Sequence, residues 1–98
     1  GLIQIPNEFV LEQNYPNPFN PETKIVYHIP AMTRVSITIY NLLGQEVRTL
    51  IDKAHSEGNY EVIWDSRNNL GHPVSSGIYI YQLKAENFVT SKRMIVIR

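Results

Sequence analysis

Apolar and polar residues alternate along most of this chain, as they do in strands that bury one face. The clearest run is residues 34–40, in which Val35, Ile37 and Ile39 fall on one side. Similar runs occupy 23–29, 60–64 and 77–84, with further strand residues at 88–90 and 92–98 and weaker strands at 9–15 and 45–51. The pattern therefore predicts an all-β protein with about seven short strands.

Turn residues separate these predicted strands. Residues 41–44 join two of them, and Gly44 can adopt the positive φ that a tight hairpin requires. Residues 56–59, 67–73 and 75–77 provide the other breaks. Short strands at this spacing are typical of an antiparallel β-sandwich of the Ig-like or fibronectin-III-like kind. The side chains predicted for its core are Ile37, Ile39, Tyr60, Trp64, Tyr79 and Tyr81.

A proline-rich arm, defined here as residues 15–21, interrupts the strand pattern. After Tyr15 it consists of Pro16, Asn17, Pro18, Phe19, Asn20 and Pro21. Proline fixes φ and lacks an N–H, so this segment is not a central strand and is expected to run as a stiff, extended arm. Phe19 would be presented in a fixed orientation, either to plug the end of the sandwich or to form part of a recognition surface.

The last seven residues are apolar on both faces of the predicted strand. They are Lys92, Arg93, Met94, Ile95, Val96, Ile97 and Arg98. No acidic residue follows Glu86, so the segment is also positively charged. A strand of this kind either lies in the middle of a sheet or forms an edge that a partner completes by strand addition.

Composition and charge narrow the possible functions. The chain has 98 residues, 43% of them hydrophobic and 18% charged, which fits one globular domain over residues 1–98. The net charge is zero, so there is no basic field to attract nucleic acid. The absence of cysteine excludes thiol chemistry, and no apolar run approaches the ~20 residues of a membrane helix. Because the chain starts at Gly1 without a leader, we expect it to be a piece of a longer protein.

Candidate catalytic and metal-binding residues do not form a convincing site. His28, His55 and His72 fall in a strand, a turn and a loop without the spacing of metal ligands. Asp52, His55 and Ser56 include the residue types of a catalytic triad, but they lie in one turn, too close together to assemble one. We therefore expect no enzymatic activity, no metal and no cofactor.

Trp64 and Asp65 allow two interpretations. Trp64 can fill the core between the sheets while Asp65 caps the following turn through backbone N–H groups. Alternatively, Asp65, Asn68 and Asn69 could offer oxygens to Ca²⁺, although a single carboxylate makes a poor calcium site.

An ordered set of motifs extends from about Leu11 to Arg98. It comprises residues 13–23, 25–27, 29–30, 35–50, 58–60, 64–65, Gly71, 74–81 and 92–98. This set resembles the type A C-terminal sorting domain of the type IX secretion system. One departure is Ser66, because a glycine often follows the Trp-Asp pair in that family.

The resemblance implies a non-catalytic secretion signal attached to a secreted enzyme or adhesin, with residues 1–10 a linker or first strand continuing from that cargo. It implies passage through the periplasm and recognition by the outer-membrane translocon and its shuttle protein. A sortase-like peptidase then often removes the domain, and the cargo is secreted or held at the cell surface. By position, recognition maps to Gly77, Tyr79 and residues 92–98. Neither nucleic acid nor membrane insertion is implied.

Two other functions remain open. The Ile-Tyr, Trp-Asp and Gly-x-Tyr positions also resemble the Ig-like domain of flagellar hook-capping proteins, which would make the chain a structural assembly module. The six tyrosines could instead stack on sugar rings, as in an accessory carbohydrate-binding module of a secreted glycoside hydrolase. Most of these tyrosines lie on strand faces, which favours burial in the core.

Overall fold

The computed structural model describes residues 6–98 and contains seven strands in two antiparallel sheets. The strands are β1 (Val10–Leu11), β2 (Thr23–Ile29), β3 (Thr33–Tyr40), β4 (Glu46–His55), β5 (Gly58–Trp64), β6 (Gly77–Ala85) and β7 (Phe88–Val96). One sheet has the order β1-β2-β5 and the other the order β4-β3-β6-β7. The predicted all-β, Ig-like sandwich is confirmed. Within residues 6–98, no helix has the length and apolar character needed to cross a membrane.

Alternating side chains from both sheets form one core. Its buried members are Leu11, Phe19, Ile25, Tyr27, Ile29, Val35, Ile37, Ile39, Trp64, Tyr79, Tyr81, Leu83, Ala85, Met94 and Val96. Five of the six predicted core residues are among them. The exception is Tyr60, which is only half-buried because it lies near the start of β5, at the margin of the sandwich. Its ring stacks on Tyr27 with centroids 5.5 Å apart, and its hydroxyl donates to the Ser56 carbonyl.

Two of the weaker predicted strands differ from those observed. The predicted strand at 45–51 continues to His55, because the ladder with β3 extends until Thr33 faces His55. This extension includes the exposed Asp52 and Lys53, so it lacks the apolar pattern that marks a half-buried strand. The predicted strand at 9–15 is reduced to β1, since its regular pairing with β2 ends at Leu11 and only single backbone contacts, at Glu12 and Tyr15, continue beyond it.

The two predicted terminal segments form a single strand. β7 runs without interruption because Ser91 pairs with Gln82 in the ladder with β6. The strand lies at the edge of the four-stranded sheet, which decides between the central and edge positions that the sequence left open.

Gly44 and Ser66 are among the turn residues that adopt the left-handed backbone conformation. Gly44 has φ of +79° in the turn between β3 and β4, as predicted. Ser66, the residue that departs from the sorting-domain motif, has φ of +63°. A glycine adopts the left-handed conformation without steric cost, which explains why glycine often follows the Trp-Asp pair in that family. Here the buried serine adopts it and donates its hydroxyl hydrogen to the Pro21 carbonyl.

A row of polar side chains crosses the outer face of the three-stranded sheet. His28 of β2 bonds through Nε2 to the Glu12 carboxylate and through Nδ1 to Oδ1 of Asn59, at 2.6 Å. Both partners are acceptors, so an imidazolium with two N–H groups satisfies both. Burial lowers the pKa of His28, but the hydrogen bonds to Glu12 and Asn59 and the charge of Glu12 outweigh it and raise the pKa above 6.5.

We expect His28 to titrate above pH 6.5, and Glu12→Gln to lower its pKa. Because the folded-state pKa is the higher one, the stability contributed by this row is fully present below about pH 6.5 and is lost as the pH rises through the folded-state pKa. An NMR titration of the imidazole protons measures this pKa. Glu22→Gln is the control, because it removes an exposed carboxylate directly after the arm and should leave the pKa of His28 unchanged. A midpoint at or below 6.5 in the unmodified protein would contradict the assignment.

Candidate partner-recognition site

The proline-rich arm crosses from one sheet to the other. Tyr15 and Lys24 exchange two backbone hydrogen bonds of 2.9 Å at the three-stranded sheet. Four residues later, the Phe19 N–H donates to the Ile95 carbonyl at 3.1 Å, and the Ile97 N–H donates to the Phe19 carbonyl at 3.0 Å. The arm is not extended as predicted, because the chain bends at residues 16–18 between its pairings with the two sheets.

The Phe19 side chain lies in the core. It is 3% exposed and meets the Trp64 ring edge-on with centroids 5.8 Å apart, while Trp64 contacts Tyr79 in the same way at 5.6 Å. Of the two interpretations of Phe19, the structure supports the plug. The backbone of the same residue adds a short parallel pairing to β7.

The segment before the arm follows the outer edge of β7. Phe9 stacks on Phe88 with centroids 5.1 Å apart, and Gln13 donates through Nε2 to the Arg93 carbonyl at 2.7 Å. Within the arm, Oδ1 of Asn17 accepts the Ile95 N–H at 2.9 Å. The chain thus supplies its own partner to the edge at residues 93–97, where the sequence allowed strand addition by another protein.

Asn14 anchors the start of the arm and was not singled out from the sequence. Its buried N–H donates to the Tyr81 hydroxyl at 2.8 Å, and that hydroxyl donates to the Glu12 carbonyl at 2.7 Å. The Asn14 side chain donates to Oγ1 of Thr23 at 2.9 Å. Burial raises the pKa of Tyr81 to about 12, opposed by the hydrogen bond from Asn14. The only sequence signal is an asparagine next to the arm.

The predicted recognition residues lie together but face different directions. Gly77 pairs with Val96 and Tyr79 with Met94 across β6 and β7. Tyr79, Met94 and Val96 point into the core, and Lys92 is half-buried. The remaining side chains of the set are exposed, namely those of Arg93, Ile95, Ile97 and Arg98.

Arg98 is tied to the loop between β5 and β6. Its guanidinium donates to the carbonyls of Ser66, at 2.7 Å, and Val74. Its backbone N–H donates to Oγ of Ser76 at 2.8 Å. The end of the chain is therefore fixed on the sandwich beside the arm.

Each of the three residues considered for a calcium site has a side-chain oxygen that accepts hydrogen bonds from backbone N–H groups. Oδ1 of Asp65 accepts the N–H of Arg67 at 3.1 Å, as predicted for a turn cap. Oδ1 of Asn68 accepts the N–H groups of Leu70 and His72, and Oδ1 of Asn69 accepts that of Thr49, all at 3.0 Å. Across residues 6–98, no three His, Cys, Asp or Glu residues cluster closely enough to hold a metal ion.

The residue types of a triad are likewise engaged elsewhere. His55 is buried and bonds through Nε2 to the Tyr27 hydroxyl at 2.7 Å and through Nδ1 to the Lys53 carbonyl at 3.2 Å. Asp52 accepts a hydrogen bond from Nε of Arg34 at 3.0 Å. Neither ring nitrogen of His55 forms a hydrogen bond with Asp52 or Ser56.

The tyrosines do not form an exposed platform for sugar rings. Tyr27, Tyr79 and Tyr81 are buried, and Tyr40 and Tyr60 are half-buried. Tyr15, at 80% exposed, is the one tyrosine whose ring is largely accessible. Burial in the core is therefore the main role of these side chains, as expected.

Comparison with known families identifies the family of this sandwich domain. Residues 23–88 match the FlgD Ig-like domain family, which is more than half of the chain. The chain belongs to this family. Curated protein sequences give no match to this FlgD Ig-like domain.

Solved structures with a domain similar to this FlgD Ig-like domain include two proteins from Porphyromonas gingivalis. One is dimeric latent PorU from Porphyromonas gingivalis, with a TM-score of 0.73 and 20% identity over 92% of this chain and 9% of that one. The other is PorZ from the same organism, with a TM-score of 0.59 and 21% identity over 92% of this chain and 11% of that one. PorZ is described as an essential bacterial surface component of the type IX secretion system. At these identities the likeness shows a shared fold, and the chain spans only a small part of either protein.

Proposed function

We propose that this FlgD Ig-like domain is a non-catalytic C-terminal secretion signal that directs a fused cargo protein across the outer membrane through the type IX secretion system. The observation that carries the proposal is the contact between Phe19 and residues 95–97. It joins the arm and the terminal strand, the two segments of the sorting motif that lie outside the family match at 23–88. One continuous surface therefore contains both.

The fold is consistent with this role. A domain with the same fold occurs in PorZ, a surface component of that secretion system. The proposed partners are the translocon, its shuttle protein and a sortase-like peptidase, with a secreted enzyme or adhesin as the cargo. The cargo would reach the cell surface or the medium after passing through the periplasm. Recognition would rest on shape and on exposed side chains, without chemistry performed by this domain.

A structural assembly module is the second candidate, because the family is that of the FlgD Ig-like domain. Such a module would bury its surface against other subunits of an assembly. It would give no export to an unrelated protein fused to it.

An export experiment separates the two. Residues 1–98 are fused to the C-terminus of a periplasmic reporter and produced in a host with the type IX apparatus and in the same host lacking the translocon. We expect reporter outside the cell only in the first host and only with the domain attached. Equal amounts outside both hosts, or none outside either, would refute the sorting function. Deleting residues 92–98 is a poor test, because it also removes the buried Met94 and Val96.

A further inference from the structure

Only one side of the terminal strand is left for a partner. Its inner side chains, Met94 and Val96, are in the core, and its outer backbone edge binds Asn17 and Phe19. What remains is the outer face of the sheet. On β7 and just beyond it, that face carries Arg93, Ile95 and Ile97, with Ile95 40% and Ile97 50% exposed.

The exposed apolar surface continues onto β6. Ile78, which is 41% exposed, pairs with Ile95 across the ladder, and Ile80 pairs with Arg93. Cross-strand partners have their side chains on the same face, so these isoleucines adjoin one another. Next to Ile80, a groove of about 470 Å³ opens between Tyr40, Leu42 and Gln82 on the same side. A contiguous apolar surface of this kind, rimmed by polar residues, is typical of a protein interface.

The charged side chains on the outer faces of β6 and β7 are of one sign, and the nearest acid along the chain, Glu86, lies in the turn between the two strands. The strands β6 and β7 contain no acidic residue, whereas Lys84 and Arg93 project from their outer faces. Among residues 6–98, neither of these two cations takes part in an ion pair. The exposed carboxylate of Asp52 lies on β4, at the opposite edge of the sheet, where Arg34 already binds it.

We propose that the outer face of β6 and β7, defined by Ile78, Ile80, Lys84, Arg93, Ile95 and Ile97, docks onto a protein whose complementary surface is apolar and edged with carboxylates. The inference rests on the proposed function, because the partner is taken to belong to the export apparatus. The unpaired cations complement acidic side chains on a partner. Such charge complementarity disfavours the binding of positively charged proteins and raises the rate of association with the correct one. Ile78, Ile95 and Ile97 are only 40–50% exposed, which suits burial against another protein surface better than insertion into the acyl region of a membrane.

The test uses the same reporter fusion with substitutions that keep the strand intact. In Ile95→Thr/Ile97→Thr the β-branched side chains preserve strand propensity, and Arg93→Glu reverses the charge. We expect each to reduce export at least about tenfold, while the urea midpoint of the purified domain stays unchanged. Ile78→Thr is an independent variant should the double substitution lower the midpoint.

One control matches the isoleucine variants in residue type and exposure, and the other matches Arg93→Glu in the reversal of an exposed positive charge. Ile63→Thr alters a 54% exposed isoleucine on β5, in the other sheet, and Lys53→Glu reverses an exposed charge on β4. Both are expected to be exported within about twofold of the intact fusion, since surface changes away from an interface have small effects.

Three results would overturn the proposal, and they are distinguishable. If the intact fusion is exported and the face variants are exported equally well, the docking surface is wrong while the sorting function stands. If the intact fusion is not exported, both fail. If the purified domain sediments with phosphatidylglycerol vesicles and Arg93→Glu abolishes this, the face binds an anionic lipid surface in place of a protein.

Discussion

Replacing Trp64 with alanine is expected to reduce the free energy of unfolding by about 3–5 kcal/mol, a large part of the roughly 5–15 kcal/mol that stabilises a domain of this kind. The side chain is fully buried at the end of β5, between Phe19 and Tyr79. Its indole N–H donates to the Arg67 carbonyl at 2.9 Å. The substitution therefore leaves a large cavity at the junction of the arm and both sheets and removes a hydrogen bond that holds the following turn.

Urea unfolding followed by circular dichroism measures the loss as a shift of the midpoint at constant slope. The matched control is Ile63→Ala, the preceding residue on the same strand, whose side chain is 54% exposed. We expect the control to cost less than about 1 kcal/mol. A Trp64→Ala protein whose stability falls no further than that of the control would show that Trp64 is not the centre of the core.

The strands with one buried face could be predicted from the sequence because their pattern is local. Val35, Ile37 and Ile39 repeat every second residue, and burial of alternate residues in β3 follows directly. Tyr60 lies on the same face of β5 as Trp64, four residues earlier. It is closer to the end of the sandwich, however, and it remains partly exposed to solvent. Periodicity gives the face on which a residue lies, and its depth depends on where the strand crosses the opposite sheet.

The candidate site was less predictable because distant contacts create it. Asn17 and Ile95 are 78 residues apart, and Asn14 and Tyr81 are 67 apart, so no local pattern links them. The sequence identified the arm and the terminal strand separately. Their pairing covers the β7 edge at residues 95–97 and leaves the outer face of the sheet accessible, and it is visible only in the three-dimensional structure.

The cover over residues 93–97 also limits pairing of other chains with the edge of β7. An uncovered edge strand with apolar residues on both faces would pair with other chains. Here the hydrogen bonds of Phe19 occupy the backbone groups of Ile95 and Ile97. The arm therefore both fills the core and covers the edge of the sheet. Phe19 does both, since its side chain is buried in the core and its backbone pairs with β7.

Replacing Phe19 with alanine tests both tasks at once. We expect a loss of about 3–5 kcal/mol, because a buried aromatic side chain is removed from contact with Trp64. Without this anchor, the arm should also separate from β7, since only the backbone pairing and the side chain of Asn17 would hold it there. The Ile97 N–H, which donates to the Phe19 carbonyl, should then lose its protection against hydrogen exchange.

Amide exchange followed by NMR distinguishes local release of the arm from general loosening of the domain. In Phe19→Ala the Ile97 amide should exchange freely while the amide of Ile39, in the centre of the four-stranded sheet, remains protected. Tyr15→Ala is the control, because it removes an arm aromatic that is 80% exposed and should leave both amides protected. If Ile97 stays protected in Phe19→Ala, the edge is held by the backbone and Asn17 alone. The buried ring would then stabilise the core without securing the cover.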